Sequence, residues 1–200
     1  AAIVPGRRPC YRDAAPGSAL SWRSQGNFGS DGERHLAQSN RMSRMVARIN
    51  RLPGPLRPAA LSAVFGRMVP FVHTAGLRIE RMDPERVVVR LRNRRRVQNH
   101  IRTLHAAAVT LAAETASGFV FGQNLPDDKL PLMKSLQVDF LKRNRGGLRI
   151  SASLGELQRR QLRDEPKGSV AVPVEAVDDA GEATVACRMI WAWVPKKRQG

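Results

Sequence analysis

Residues 103–122, TLHAAAVTLAAETASGFVFG, carry one formal charge, the carboxylate of Glu114, in a chain otherwise crowded with arginine. The alanine and leucine content from Leu104 to Ala116 predicts a helix. Its apolar residues (Leu104, Ala106, Ala107, Ala108, Val109, Leu111, Ala112 and Ala113) point in every direction. A helix that is apolar all round has to be wrapped on most sides. Burying an unpaired carboxylate is costly, so Glu114 needs a reason to be there. The stretch has the length of a membrane span. Its His105, Glu114, Thr, Ser and many small residues argue against one.

Thirty-four Lys+Arg against seventeen Asp+Glu leave a net charge of +17. The excess is uneven: +3 over residues 1–41, +11 over 42–102 and +3 over 103–200. Such a balance favours polyanions, whether nucleic acid, acidic lipid or phosphorylated small molecules. A solvated arginine face accounts for the same charge. Cys10 and Cys187 make neither a disulfide framework nor a metal pattern, which suits a reducing cytoplasm. Residues 1–30 hold no continuous apolar core of the kind a signal peptide needs. There is no Gly-rich phosphate loop, metal-ligand cluster, nucleophile elbow or redox pair, so neither a metal nor a redox cofactor is expected.

Residues 1–40, rich in Gly, Pro, Ser and Arg, read as a disordered extension. The chain does not begin with Met, and Met42 and Met45 lie where the pattern turns regular. A true start there is an expectation that mass analysis of the native N-terminus tests. Residues 41–69 read as N-terminal helices. Met45, Val46, Ile49 and Leu52 fall at helical spacing, Pro53, Pro55 and Pro58 interrupt, and a helix over 59–68 ends at Pro70.

From 70 to 195 the period is two, except in the central helix. Ala75, Leu77 and Ile79 alternate, Asp83-Pro84 turns, and Val87, Val89 and Leu91 alternate again. The outward row Arg90, Arg92 and Arg94 runs on into Arg95 and Arg96. After the helix come Leu136, Val138 and Phe140, then a turn at Arg145-Gly146-Gly147, then Leu148, Ile150, Ala152 and Leu154. Residues 156–168 read as a charged loop. Val170, Val172 and Val174 follow, with Pro173 on the opposite face suggesting an edge or a bulge. Val185, Cys187, Met189, Trp191 and Trp193 alternate in the last strand, both tryptophans on its inward face, and 196–200 form a basic tail. Two strands, one helix and four strands joined by short turns make an α+β chain with an antiparallel sheet.

Asn99, His105 and Glu114 are spaced N-x5-H-x8-E across the start of the helix. With the element order, this spacing resembles the hotdog fold, a long central helix wrapped by a curved antiparallel sheet, here with an added N-terminal helical segment. The resemblance is nearest to acyl-CoA thioesterases of the phenylacetate-degradation type and to a related hotdog family of uncharacterised function. His105-Ala106-Ala107 stands at that family's His-Gly-Gly, and Glu114 at its acidic residue. The resemblance implies hydrolysis of an acyl-CoA thioester. Glu114 would activate water or attack directly, and the Ala106 N–H would polarise the carbonyl. Asn99 and His105 would orient substrate, water or loop. Arg94, Arg95 and Arg96 with Ala107 would contact the substrate, the arginines at its phosphates. It also implies a homodimer or homotetramer. His105 and Glu114 are nine residues apart, on opposite helix faces and roughly 13 Å apart along the axis. One carbonyl therefore meets both only across two subunits.

Two glycines of the pattern are alanines here, and its aspartate is a glutamate. Plainer readings stand beside the catalytic one. Glu114 is equally a helix-face carboxylate paired with an arginine or facing a crevice. His105 is equally a first-turn residue bonded to the preceding loop, Asn99 a turn residue, and the arginines a solvated face. The alternative function is a non-catalytic hotdog dimer that binds acyl-CoA or a similar ligand. Nucleic-acid binding has charge behind it but no aromatic–basic stacking pattern.

Overall fold

The computed structural model describes residues 40–196. The expected disordered extension, apart from Asn40, and residues 197–200 of the expected basic tail lie outside the described residues. Helices α1 (Arg41–Ile49), α2 (Arg57–Met68) and α3 (Pro70–Ala75) come first. Strands β1 (Arg78–Met82) and β2 (Arg86–Leu91) precede the long helix α4 (Ala106–Asn124). Then follow β3 (Lys129–Phe140), β4 (Leu148–Ser153), helix α5 (Glu156–Asp164), β5 (Gly168–Asp178) and β6 (Ala183–Pro195). The strands form one six-stranded sheet in the order β1-β2-β4-β5-β6-β3, antiparallel throughout.

The wrapping that α4 requires comes from two sides. The buried row of each strand, such as Val87, Val89 and Leu91 in β2 or Leu148, Ile150 and Ala152 in β4, joins the same core as Val109, Ala112, Ala113, Ala116 and Val120 of α4. The contact with β6 is very close. A Cβ on Gly118 would lie 2.8 Å from Trp191 Cζ2, so only glycine fits there. Phe121 stacks on Trp191 at 5.5 Å. The expectation that both tryptophans face the core holds, with Trp191 and Trp193 both buried.

The N-terminal helices cover a second side. Phe65 of α2 meets Phe119 at 5.1 Å. Asn40 caps α1 by accepting from the Ser43 N–H at 2.7 Å, and its amide donates to the carbonyls of Gly122 and Leu125, each at 2.6 Å. One buried side chain thus starts α1 and ties it to the end of α4.

Several expected elements are corrected. Ala75 belongs to α3 rather than to a strand; Gly76, at φ +67°, ends that helix in the left-handed region, and β1 begins two residues later. The helix expected over 59–68 does end before Pro70, at Met68, but a further helix follows: Pro70 opens α3, as Pro58 lies in the first turn of α2, because the first turn of a helix has no use for that N–H. The central helix runs on to Asn124, well past Ala116. Pro173 lies in β5, an interior strand between β4 and β6, and the register shift of β5 falls between Ala176 and Val177.

The charged loop over 156–168 is in large part helix α5. Glu156 pairs with Arg159, Arg160 and Arg163 along one face, the spacing at which opposite charges support a helix. Leu162 is fully buried beneath it. The far end of α5 is closed from a distance. Lys129, itself buried, donates from Nζ to the carbonyls of Leu162 and Arg163 at 2.8 Å and of Glu165 at 2.7 Å. The cation sits where helix carbonyls are unsatisfied and the helix dipole is negative. Lys129→Met keeps the apolar stem and leaves the Leu162 and Arg163 carbonyls without this donor. It should cost about 2–3 kcal/mol. Urea unfolding checks this, and a loss under about 0.5 kcal/mol would rule out a stabilising role for the contact.

Candidate active site

The approach to α4 is a loop that one side chain organises. The Asn99 Oδ1 accepts from the N–H groups of Ile101 and Thr103, both at 3.1 Å, and its Nδ2 donates to Thr103 Oγ1 at 2.8 Å. Its backbone N–H reaches the Thr103 carbonyl at 2.9 Å. Within this loop Arg102 adopts φ 61°, a left-handed conformation that costs a non-glycine residue free energy. The Asn99 bonds on either side hold it there. In this chain Asn99 therefore acts on the loop.

The loop delivers His105 to the N-cap of α4, where Nδ1 accepts from the Ala107 N–H at 3.1 Å. The N–H groups of Ala108 and Val109 bond to the His105 carbonyl. The Ala106 N–H has no acceptor among the described residues. Residues 105–107 are all exposed. A free donor at the positive end of a nineteen-residue helix can stabilise a developing oxyanion.

Most of α4 is buried, but one stripe is not. Ala107 is exposed, and Leu111, Glu114 and Gly118 are only half-buried; these residues follow one another at intervals of three and four, along one face. The Glu114 carboxylate makes no hydrogen bond or ion pair with any described residue, so the expected pairing with an arginine does not occur among them. Burial raises its pKa above the ordinary glutamate value of 4.5. Its helical turn is held from behind. Ser117 Oγ donates to the Glu114 carbonyl at 3.0 Å and accepts from Trp191 Nε1 at 3.0 Å. Sequence reasoning missed this link; its signal was a serine on the buried side of an apolar helix, one turn from the acid.

Within one chain the parts stay apart. Ala106 and Glu114 are eight positions apart, roughly 12 Å along the axis. Arg94, Arg95 and Arg96 are exposed, around a short 3-10 turn (Arg95–Val97) before the loop. A cleft of about 720 Å³ borders that loop, lined by Arg102 and Thr103 but by none of Asn99, His105, Ala106 and Glu114. Among the described residues, no group of three or more His, Cys, Asp or Glu is placed to hold a metal ion. No described helix is long and apolar enough to cross a membrane.

One protein family matches the chain over residues 57–194: Domain of unknown function (DUF4442). Among curated proteins none matches. Solved structures do. A Pseudomonas aeruginosa protein of unknown function, described as a probable thioesterase, is 24% identical with a TM-score of 0.63, over 72% of this chain and 97% of its own. A Haemophilus influenzae thioesterase is 12% identical with a TM-score of 0.54, over 65% of this chain and 87% of its own. A thioesterase family protein from Silicibacter pomeroyi is 19% identical with a TM-score of 0.52, over 69% of this chain and 98% of its own. At these identities the likeness establishes the fold. It is the hotdog fold, with a long central helix and a curved antiparallel sheet.

Proposed function

The chain belongs to the DUF4442 family, and from that membership and the geometry of α4 we propose that it is a hotdog thioester hydrolase acting on acyl-CoA at a site shared by two subunits. The observation that carries this reading is Glu114: a half-buried carboxylate with a raised pKa and no partner among the described residues, on the least covered stripe of an otherwise wrapped helix. An acid kept unpaired at such a cost suits a general base. The unengaged Ala106 N–H supplies the complementary electrophilic donor.

In the proposed reaction, Glu114 of one subunit takes a proton from water as its oxygen bonds to the thioester carbon. The carbonyl oxygen, now negative, accepts from the Ala106 N–H of the other subunit. Collapse breaks the C–S bond, and the proton passes from Glu114 to the leaving sulfur, releasing acid and thiol. Asn99 and His105 position the donor by shaping the loop and cap. Ala107 lines the substrate's path on the same stripe as Glu114. Arg94, Arg95 and Arg96 draw in the anionic substrate.

The second subunit has a natural seat. β3 is an edge strand of twelve residues, and Leu130, Leu132, Leu136 and Phe140 along it are exposed. A long apolar edge invites pairing with another strand, and β3 of a second copy would complete it. The proposed setting is the cytoplasm, as a homodimer or a tetramer built from it. The runner-up reading, an acyl-CoA-binding dimer without turnover, is favoured by Ala106-Ala107, whose methyl groups narrow the approach to the helix end.

Incubating the protein with acyl-CoA thioesters from acetyl to palmitoyl, and reading free thiol, tests the proposal. Release of CoA above the uncatalysed rate supports it. Calorimetric binding without release favours the runner-up, and neither binding nor release removes both.

A further inference from the structure

The cleft beyond the loop has features that its place in the fold does not require. It lies between that loop, the β3–β4 connection and the β5–β6 turn, and encloses about 720 Å³. Thr184, which lines it, is 1% exposed, and its Oγ1 has no hydrogen-bond partner. Asn144, also lining it, has a buried Oδ1 without a partner. Both atoms are buried in the wall of the cleft, where a polar group without a partner is costly.

The charge around them is unbalanced. Arg102 and Arg143 line the cleft, and neither guanidinium has a hydrogen bond or an ion pair with any described residue. The acids there are already engaged. Glu182 pairs with Lys142 at 2.9 Å. Asp178 accepts from the backbone N–H groups of Arg145 at 2.8 Å, Ala180 at 2.9 Å and Glu182 at 3.0 Å. Those bonds hold its carboxyl below the ordinary aspartate range, the Arg145 N–H foremost. Arg102 also occupies a strained left-handed position, as residues held for a ligand often do.

We propose that this cleft seats the phosphate groups of a small anionic ligand, with Arg102 and Arg143 as the cationic clamp and the Thr184 hydroxyl and Asn144 amide beneath them. Guanidinium forks match phosphate oxygens in geometry and charge. The volume exceeds that of a single ion and suits a diphosphate or a phosphorylated nucleoside. As a phosphate seat the cleft stands on its own observations. As the anchor for the nucleotide end of CoA it rests on the thioester reading above.

The test is calorimetric titration of the full chain, at physiological salt, with adenosine 3′,5′-bisphosphate and separately with inorganic diphosphate. Saturable binding of one molecule per chain is expected for at least one of them. Arg102→Ala with Arg143→Ala should weaken it tenfold or more, and Thr184→Val severalfold. The charge-matched control Arg51→Ala with Arg67→Ala, outside the cleft, should leave it unchanged. No saturable binding of either probe, or equal weakening in both arginine pairs, overturns the seat and assigns any binding to diffuse charge. Arg143→Ala alone, on an exposed residue, keeps the test decisive if Thr184→Val fails to fold. Selective loss in the cleft variants together with a raised KM and unchanged kcat for acyl-CoA makes the cleft the substrate anchor. The same selective loss in a chain that releases no CoA upholds the seat and removes the thioester reading.

Discussion

Glu114→Gln is expected to lower acyl-CoA turnover by about 10²–10⁴-fold, the range in which a positioned general base contributes, while the chain keeps its fold. Glutamine has the shape of glutamate without its negative charge. Because the Glu114 side chain makes no hydrogen bond or ion pair with any described residue, the substitution orphans no partner among them. Wild-type activity should rise with pH through a pKa above 4.5, since burial raises the value and only the carboxylate form is a base. That limb should vanish in the variant. The same shift has the opposite sign for stability. The folded state holds this proton more tightly than the unfolded chain, so the contribution is full below 4.5 and is lost as pH rises through the raised value. At neutral pH the Gln variant should melt no lower than wild type, and any advantage should fade on acidification. Full turnover in Glu114→Gln would refute its role as the base.

Trp193→Ala should destabilise the fold by about 3–5 kcal/mol, the cost of emptying a large buried aromatic site. Trp193 is fully buried and meets Phe121 of α4 at 6.2 Å. Its Nε1 donates to the Glu165 carbonyl at 2.8 Å, the same carbonyl that accepts from Lys129. The chain has also shaped itself to the ring. A Cβ on Gly168 would lie 2.6 Å from Trp193 Cζ2, so the backbone there approaches as only glycine allows. Collapse around the vacated space is therefore hindered on the β5 side. Since folded domains are stable by about 5–15 kcal/mol, the loss is a large share of the whole. Urea unfolding measures it, and a change under about 1 kcal/mol would show that the ring does not hold the core together.

Much of the fold was legible because it rests on short-range periodicity. Val87, Val89 and Leu91 alternate because every second side chain of a strand faces the core, and that is visible within five residues. α5 was not legible as a helix. Its single fully buried anchor, Leu162, sits in a run of charges whose pairing with one another shows only once they are coiled. Pro173 suggested an edge or a bulge because it removes a ladder donor, yet long-range pairing placed its strand inside the sheet, with the irregularity of β5 at Ala176/Val177 instead. The site divides in the same way. The spacing of Asn99, His105 and Glu114 marked the candidate residues. That Ser117 and Trp191 brace the turn of Glu114, and that Arg102 and Arg143 line one cleft, depend on residues up to 74 positions apart.

The sequence by itself determined that residues 103–122 had to be a wrapped helix with an exceptional acid, because composition settles how much surface must leave water. Only the tertiary structure decided what does the wrapping and where it stops. The sheet covers one side and the N-terminal helices another, leaving Ala107 exposed and Leu111 and Glu114 half-buried along the stripe between them. The reason is physical: burying an apolar surface constrains how much of it must be covered, but which partner covers it follows from the shapes of elements far away in the chain.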